Sequence, residues 1–355
     1  MKNFQDYKNK FTQKAREAGL TEEYILKCLN YSEKIFSKNL PIIYNYQHLS
    51  ELVGYKHTYI TRVKKSTYFF YRHFKIKKKN GTSRTISEPL PNLKEIQNFI
   101  LKEILYTQKV SKYCKSYIPK KNIKEYLKYH INEKQVLTID IENFFPSIKF
   151  THVLNLFINF NYAQNLAETL SFLCTYIDIK YNDRNDLRYL PQGAPTSPYL
   201  SNLILKNFDD KIAEYCFDNK IKYTRYADDM AFSGNEINKE QIIEFVQSQL
   251  LDGLNINMDK VNFMKQNHPQ IISGVIVNEK LQLPKKERNH IRNQIHHIKT
   301  HTLQGHLKWI NENRENYLSH LLGKIQYGIN LNPKDNELIK YKEYIISLKE
   351  KNIII

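Results

Sequence analysis

The stretch YTRYADDMAFSG, residues 223 to 234, decides how the rest of this sequence is interpreted. Two largely apolar segments flank a pair of adjacent carboxylates, Asp228 and Asp229, and no basic residue stands next to the pair. The pattern predicts two short strands joined by a turn that carries both aspartates. Adjacent carboxylates repel each other, and burying an unpaired charge is costly. Either this is a polar surface turn, or a strongly positive partner lies against it.

A third carboxylate, Asp140, ends the apolar part of the segment VLTIDIENFF, residues 136 to 145, which predicts another strand. If the two elements are neighbours in one sheet, three carboxylates converge at its end. Each charge then raises the pKa of the others. Two Mg²⁺ ions, or Mn²⁺ as a substitute, would relieve the repulsion because hard cations prefer oxygen ligands. Such ions activate an attacking hydroxyl and stabilise a leaving phosphate oxygen.

The composition indicates a folded protein with a polyanionic partner. Of 355 residues 41% are hydrophobic, and 54 basic side chains against 36 acidic ones give a formal charge of +18. This balance favours nucleic acid over a membrane surface, while general solubility remains the alternative. The four cysteines are far apart and predict thiols in a reducing compartment. With no signal peptide and no apolar run of membrane length, we expect a cytoplasmic protein without membrane contact.

The order of predicted elements favours an α+β fold around one sheet. KIKKKNGTSRTISEP, residues 75 to 89, predicts a hairpin with its turn at Asn80 and Gly81. Helical spacing is expected over residues 1 to 50, 92 to 108, 150 to 176 and 238 to 252, and beyond Lys285. The lone Trp309 is expected in the core of the carboxy-terminal helices.

Four segments occur in an order that resembles the successive palm motifs of reverse transcriptases. They are TIDIENFFPSI (138–148), LPQGAPTSP (190–198), YTRYADDMAFSG (223–234) and LNINMDKVNF (254–263). GTSRTISEP (81–89) resembles the fingers, and LLGKIQYGINLNP (321–333) resembles the thumb of bacterial members. The resemblance implies a right-hand polymerase fold with fingers, a palm containing an antiparallel sheet, and a helical thumb. The boundaries it implies are 1–50 for an amino-terminal helical extension, 51–135 for fingers, 136–280 for palm and 281–355 for thumb.

The resemblance also implies roles for individual residues. Asp140, Asp228 and Asp229 would be the catalytic, metal-binding carboxylates, and Ile141 joins them in the metal set. The deoxynucleotide would be bound by Arg84, Lys78, Phe145, Gln192, Gly193 and Lys260. In this set the ring of Phe145 would exclude a ribose 2′-OH, and Lys260 would protonate the pyrophosphate leaving group. The alternatives are a core phenylalanine, a solvated basic hairpin and a surface lysine.

Among reverse transcriptases the sequence is most similar to the retron enzymes of bacterial antiphage defence. Their V-T-G triplet corresponds to Ile272–Gly274, and their N-A-x-x-H signature is matched only by His130 in YLKYH. The implied activity is RNA-directed DNA synthesis on a structured noncoding RNA that serves as template and primer, which yields msDNA. Another defence-associated or group II intron-like reverse transcriptase, and a catalytically idle RNA-binding scaffold, are the alternatives.

Several partners follow from the same resemblance. They are deoxynucleotides, a structured noncoding RNA with its DNA product, and an effector protein encoded in trans. The basic carboxy-terminal region would contact the RNA, because Lys and Arg neutralise phosphates. The RNA-binding residues implied are Lys285, Lys286, Arg288, Arg292 and His130. The alternatives are a solvated basic helix that binds no ligand and, for His130, an ordinary interface histidine.

Overall fold

The computed structural model describes residues 3–77, 81–178 and 187–353, which form a mixture of helices and antiparallel sheets. The helices in chain order are α1 (Phe4–Glu17), α2 (Glu22–Phe36), α3 (Tyr46–Val53), α4 (His57–Lys65), α5 (Pro91–Phe99), α6 (Ile123–Leu127), α7 (Phe144–Ser147), α8 (Phe150–Asn159), α9 (Gln164–Cys174), α10 (Ser197–Ile204), α11 (Lys206–Asp218), α12 (Lys239–Gln249), α13 (Lys285–Trp309), α14 (Tyr317–Leu331) and α15 (Asn336–Ile353). The strands are β1 (Tyr71–Lys77), β2 (Ser83–Pro89), β3 (Gln135–Asp140), β4 (Lys222–Tyr226), β5 (Asp229–Gly234), β6 (Asn262–Lys265), β7 (Ile271–Ile272) and β8 (Val275–Ile276).

The central sheet has four strands in the order β4-β5-β3-β6. Every neighbouring pair in it is antiparallel. The hairpin predicted over residues 223 to 234 is present, because β4 pairs with β5 and Tyr226 lies opposite Asp229. The predicted hairpin in the basic segment is also present, as β1 pairs with β2 from Tyr71 opposite Pro89 to Lys77 opposite Ser83. Its predicted turn residue Asn80 lies outside the described residues.

The chain divides into two compact units, and neither is continuous in sequence. The first comprises Met1–Pro119, Ile141–Ile212 and Phe245–Asn257, and the second comprises Lys120–Asp140, Ala213–Glu244 and Met258–Ile355. The central sheet and helices α13 to α15 all belong to the second unit. Its strands and its carboxy-terminal helices therefore form one folded body.

A continuous apolar core holds the second unit together. Val136 and Ala231 from the central sheet belong to the same buried cluster as the apolar face of α13. That face is formed by Ile291, Ile295 and Ile298, whose spacing of four and three residues places them on one side of a helix. Each buried side chain of this size stabilises the fold by about 1.5–3 kcal/mol relative to an exposed one.

In the first unit one predicted helix is wrong and another changes pitch. The helix expected over residues 150 to 176 is interrupted, because α8 ends at Asn159 and α9 begins at Gln164. Asn161 between them has a φ of +70°, a left-handed conformation that ends helices and that asparagine tolerates well. The helix expected over 92 to 108 begins as α5, continues through a π turn at Ile100–Ile104 and closes with a 3₁₀ turn.

Two sequence expectations concern the cysteines and the membrane. Among the described residues the four cysteines form no disulfide, and Cys114, Cys174 and Cys216 are buried. In the same described ranges, no helix combines the length and the apolar character needed to cross a bilayer.

Candidate active site

The strand register brings the three aspartates together at one end of the central sheet. Asp140 is the last residue of β3 and lies directly opposite Asp229, the first residue of β5. Asp228 occupies the two-residue turn between β4 and β5, immediately before Asp229. The site is thus built from one strand end and one tight turn of the second unit.

The turn that carries Asp228 has an unusual backbone. Ala227 has a φ of +59°, a left-handed conformation that residues with a side chain rarely adopt. Arg225, which is fully buried on β4, donates a hydrogen bond from Nη1 to the carbonyl oxygen of Ala227 at 2.8 Å. A buried guanidinium therefore braces a strained turn, and strain of this kind is often found where a functional side chain must be aimed.

The three carboxylates carry more negative charge than their surroundings neutralise. Burial, together with the charges of Asp140 and Asp229, raises the pKa of Asp228 to about 6. The pKa of Asp229 is also raised, first by burial and then by Asp140, against the lowering effect of a hydrogen bond from Ser273. Groups held in this way favour binding of a cation, because a cation removes the repulsion that raises their pKa values.

One cationic side chain already lies on the cluster. Lys260 Nζ donates a hydrogen bond to Asp140 Oδ1 at 2.7 Å, while more than half of the lysine side chain remains exposed. Partial burial lowers the pKa of Lys260, but the bond to Asp140 and the charges of the three aspartates raise it overall. Lys260 is therefore a protonated amine beside the carboxylates.

Two further residues complete the site, and sequence reasoning gave neither of them a role there. Ser273 Oγ donates a hydrogen bond to Asp229 Oδ2 at 2.7 Å from the tight turn between β7 and β8. Ser273 and Gly274 both have positive φ, at 46° and 79°, which is typical of a two-residue hairpin turn. Tyr126 is fully buried, and its pKa is raised by burial and by the charges of Asp229 and Asp228. The resemblance singled out Ile272–Gly274 as the counterpart of the V-T-G triplet, but nothing in the sequence indicated the contact of Ser273 with Asp229.

Within the first unit, the loop of the PQG motif is locked onto β2. Ser87 N donates to the carbonyl oxygen of Gln192 at 2.8 Å. A Cβ atom on Gly193 would lie 2.8 Å from the Ser87 carbonyl oxygen and 2.9 Å from Ile86, so only glycine fits. Gly193 also has a φ of +125°, which disfavours other residues. Glycine at this position is therefore explained by the close approach of two backbones.

The remaining nucleotide-binding candidates also lie in the first unit. Phe145 is half-buried in α7 and packs against the ring of Phe144, with ring centres 5.2 Å apart. Arg84 is exposed on β2, and in the described part of the chain no carboxylate forms an ion pair with it. Lys78 lies outside the described residues. Ile141 follows Asp140 directly and its side chain is buried.

The structure does not place His130 where an RNA could reach it. The residue is completely buried, with Nδ1 2.7 Å from Ser233 Oγ and Nε2 2.6 Å from Thr224 Oγ1. Burial lowers its pKa to about 3, so the ring is neutral at pH 7. Because both ring nitrogens are occupied, His130 ties together β4, β5 and the segment before β3.

The basic residues of α13 fall into two groups. Arg288 contacts Asp335 at 3.0 Å and Glu337 at 2.7 Å, and Arg292 contacts Glu337 at 2.8 Å. These bonds hold the pKa of Glu337 at about 2 and link α13 to the start of α15. Lys285 and Lys286 are exposed, and neither takes part in an ion pair of the described residues. The lysines are therefore more accessible to phosphates than the arginines are.

The carboxylate cluster fits divalent metal ions in donor chemistry and in charge. Its ligands are oxygen atoms, the kind that Mg²⁺ prefers, and its charge exceeds what Lys260 offsets. Among the described residues no group of three or more His, Cys, Asp or Glu side chains is arranged to hold a metal ion by itself. A Mg²⁺ ion held by these aspartates would therefore need further oxygen ligands from substrate phosphates and water, as is usual for magnesium.

Comparison with known proteins adds a family to this geometry. A family model described as reverse transcriptase (RNA-dependent DNA polymerase) matches residues 76–301. The chain is 31% identical to the retron Ec86 reverse transcriptase of Escherichia coli, over 65% of this chain and 70% of that protein. It is 28% identical to the retron Ec83 reverse transcriptase of Escherichia coli, over 77% and 86% of the two chains.

A third relative differs in length. The chain is 29% identical to the retron Mx65 reverse transcriptase of Myxococcus xanthus, over 75% of this chain. The match covers 62% of the Mx65 protein, so the chain spans less than two thirds of that relative.

Proposed function

This chain belongs to the reverse transcriptase family, and we propose that it is an RNA-directed DNA polymerase of the retron type. It would copy a structured noncoding RNA that serves as template and primer, and the msDNA product would act in antiphage defence. The observation that carries the proposal is the meeting of Asp140, Asp228 and Asp229 at one end of the central sheet. A protein that only bound RNA would have no use for three mutually repelling carboxylates at one site.

Reverse transcriptases generally use divalent metal ions, and for this chain we propose two Mg²⁺ ions, with Mn²⁺ as a substitute. The three aspartates would hold them, and Ile141 would contribute its backbone oxygen. Bound metal would activate the primer hydroxyl and stabilise the oxygen of the leaving pyrophosphate. Lys260, protonated beside Asp140, would supply a proton to that leaving group.

The proposed nucleotide-binding residues have properties that suit this role. Arg84 is exposed and could hold a triphosphate with its planar fork of donors. Gly193 shows how closely the PQG loop can approach a neighbouring backbone. In the described part of the chain, the side-chain oxygen of Gln192 is buried without a hydrogen-bond partner, which favours a bound ligand there.

Phe145 is proposed to select deoxynucleotides by excluding the 2′-OH. Phe145→Ala should raise the efficiency of ribonucleotide incorporation relative to deoxynucleotides by about 10- to 100-fold, because a steric barrier is removed. Phe145→Tyr is the control that keeps the ring and should leave the ratio near that of the wild type. Single-nucleotide extension of a primed template measures both. An unchanged ratio in the alanine variant would leave Phe145 as a packing residue only.

The proposal extends to partners and organisation. Lys285 and Lys286 would contact the RNA, and an effector protein encoded in trans would act on or through the product. Residues 51–135, 136–280 and 281–355 would serve as fingers, palm and thumb after a helical extension, with Lys78 among the fingers. A cytoplasmic location is consistent with four cysteines that form no disulfide among the described residues.

Sequencing the nucleic acid that copurifies with the protein tests the proposal. The wild type should carry RNA joined to DNA, whereas Asp140→Asn should carry the same RNA without DNA. Asp218→Asn, which changes an exposed aspartate of α11, is the matched control and should behave as the wild type. DNA without an attached RNA would indicate another defence-associated or group II intron-like enzyme. RNA alone from the wild type would indicate an idle scaffold.

A further inference from the structure

A stack of three aromatic rings lies on α13, after the two arginines in the sequence. The ring of His297 stacks on the ring of His301, at 4.4 Å between ring centres, and on the ring of Trp309, at 4.3 Å. The Trp309 and His297 planes differ by only 14°. Trp309 was expected in the core, yet 68% of its surface is exposed, so one indole face is open to solvent.

A break in the helix builds this stack. Residues 297 and 309 would be about 18 Å apart along a straight helix, because each residue adds about 1.5 Å. The helix is interrupted at His301 and Thr302, where Thr302 has a φ of +63° and a ψ of +168°. This region is essentially restricted to glycine, so a β-branched residue there is strained. The chain then turns back and lays the indole of Trp309 on His297.

Neighbouring contacts fix the turned-back segment. Gly305 N donates to Thr302 Oγ1 at 3.4 Å, which caps the restarted helix. A Cβ atom on Gly305 would lie 3.3 Å from the Cβ of His301, so glycine permits the tight return. Beneath the stack, His306 is buried, with Nε2 2.7 Å from the Tyr317 hydroxyl and Nδ1 3.3 Å from Nδ1 of His297. The platform is therefore a built feature of the fold.

We propose that the Trp309–His297–His301 stack is a platform on which an unpaired base of the bound RNA stacks. Aromatic and histidine rings take up splayed bases in RNA recognition, and each stacked base contributes affinity. Charge favours nucleic acid as the occupant, since α13 contains six Lys or Arg and one acid, with Lys308 exposed next to Trp309. Burial and the charges of His301 and His296 lower the pKa of His297, so its ring stacks in the neutral form at pH 7.

The sequence supplies its own reporter, because Trp309 is the only tryptophan in the chain. The full-length protein is titrated with a fluorescein-labelled 12-nucleotide single-stranded RNA, and both RNA anisotropy and Trp309 emission are recorded. We expect quenching that follows binding. An RNA duplex of 30 base pairs should raise anisotropy with little quenching. Equal quenching by the duplex, or RNA binding with unchanged emission, would overturn the proposal.

Three variants separate stacking from general effects. Trp309→Ala should weaken binding of the single-stranded RNA about tenfold, and Trp309→Phe should stay within about threefold of the wild type. Phe217→Ala removes another exposed ring of the same unit, 82% exposed, and should leave binding unchanged. Equal losses in Trp309→Ala and Phe217→Ala would overturn the assignment. Tighter binding of a DNA strand of the same sequence would indicate that the stack binds the DNA product instead of the RNA. That result would also overturn the proposal.

This inference rests on the proposed function only in taking RNA as the partner. Extension of a generic primed template is measured in parallel on the wild type and on Phe217→Ala, which should retain it. If the wild type makes no DNA while Trp309 responds to RNA, the proposed function fails and the platform stands. If the wild type makes DNA while Trp309 emission does not change on RNA binding, the platform proposal is overturned and the proposed function is retained.

Discussion

The carboxylate cluster and the arginine ion pairs of α13 belong to the same folded unit but differ in charge balance. The cluster has excess negative charge, whereas the arginines are neutralised by carboxylates. Asp140, Asp228 and Asp229 lie together with Lys260 as their cationic contact, and the pKa of Asp228 is raised. Arg288 and Arg292 instead meet Asp335 and Glu337, and the pKa of Glu337 is lowered. The first arrangement costs free energy until a cation arrives, whereas the second is already balanced. Uncompensated charge therefore indicates residues that bind a ligand, and charge neutralised by ion pairs indicates residues that stabilise the fold.

The largest effect is expected at the unbalanced site. Asp228→Asn should reduce DNA synthesis by at least about 1,000-fold, because it removes a charged ligand where metal stabilises both the attacking and leaving oxygens. Binding of RNA should stay within about twofold of the wild type, since the phosphate-binding surface is unchanged. Primer extension and RNA anisotropy measure the two quantities, with Asp218→Asn as the control. Extension near the wild-type rate would remove Asp228 from the active site.

The balanced arginines and the exposed lysines of α13 should respond differently. Lys285→Ala with Lys286→Ala should weaken RNA binding by up to about tenfold and reduce the dependence of log K on log[salt] by about two, one for each phosphate contact. Arg288→Ala with Arg292→Ala should mainly lower the melting temperature, because Glu337 loses both of its arginine partners near the start of α15.

Salt-dependent anisotropy and thermal melting, measured on both double variants, decide this comparison. Arginine variants that lose RNA affinity at unchanged stability would show that the ion pairs open to receive phosphate. In that case balanced charge would not exclude a binding role.

A smaller effect on DNA synthesis is expected from Ser273, whose neutral hydroxyl orients the carboxylate of Asp229. Ser273→Ala should lower the rate constant for extension about threefold to tenfold, because Asp229 loses the hydrogen bond that fixes its Oδ2. Ser273→Gly also removes the hydroxyl but suits the positive φ of the turn. Both variants should therefore be slow. A slow alanine variant beside a normal glycine variant would show that the turn matters and the hydroxyl does not.

The same contrast explains how much of the molecule the sequence could predict. The aspartate cluster was accessible because it depends on strand ends and a two-residue turn, which short motifs specify. Arg288 and Arg292 both pair with Glu337, which lies 49 and 45 residues away, so neither the charge pattern nor the resemblance indicated these ion pairs. The burial of His130 could not be predicted for a similar reason, because its partners Ser233 and Thr224 lie 103 and 94 residues away.

Local breaks in the backbone were the second feature that the sequence could not predict. Periodicity predicted one helix over residues 150 to 176 and helical structure beyond Lys285, and it indicated neither the break near Asn161 nor the break within α13 at Thr302. Apolar spacing reports which face is buried and carries little information on a single residue with positive φ. The second break moved Trp309 from an expected core position to the surface.

The smallest expected effect tests the cost of the unbalanced charge directly. The folded-state pKa of Asp228 is about 6, above its ordinary value of 3.8, so folding takes up a proton between these pH values. Below the lower value the carboxyl is neutral in both states and costs nothing. Between pH 3.8 and about 6 the folded protein is progressively destabilised as the pH rises, and the full cost is present at pH 8. Asparagine carries no charge at any of these pH values.

Asp228→Asn should therefore raise the melting temperature in EDTA by a few degrees at pH 8 and by clearly less at pH 5. Differential scanning fluorimetry at both pH values measures this, and Asp218→Asn should show no such difference because its side chain is exposed. Adding Mg²⁺ at pH 8 should stabilise the wild type more than Asp228→Asn, since only the wild type keeps the full ligand set. A gain of equal size at pH 5 and pH 8 would mean that the change relieves packing or turn strain. The three aspartates would then be less costly to bring together than their arrangement indicates.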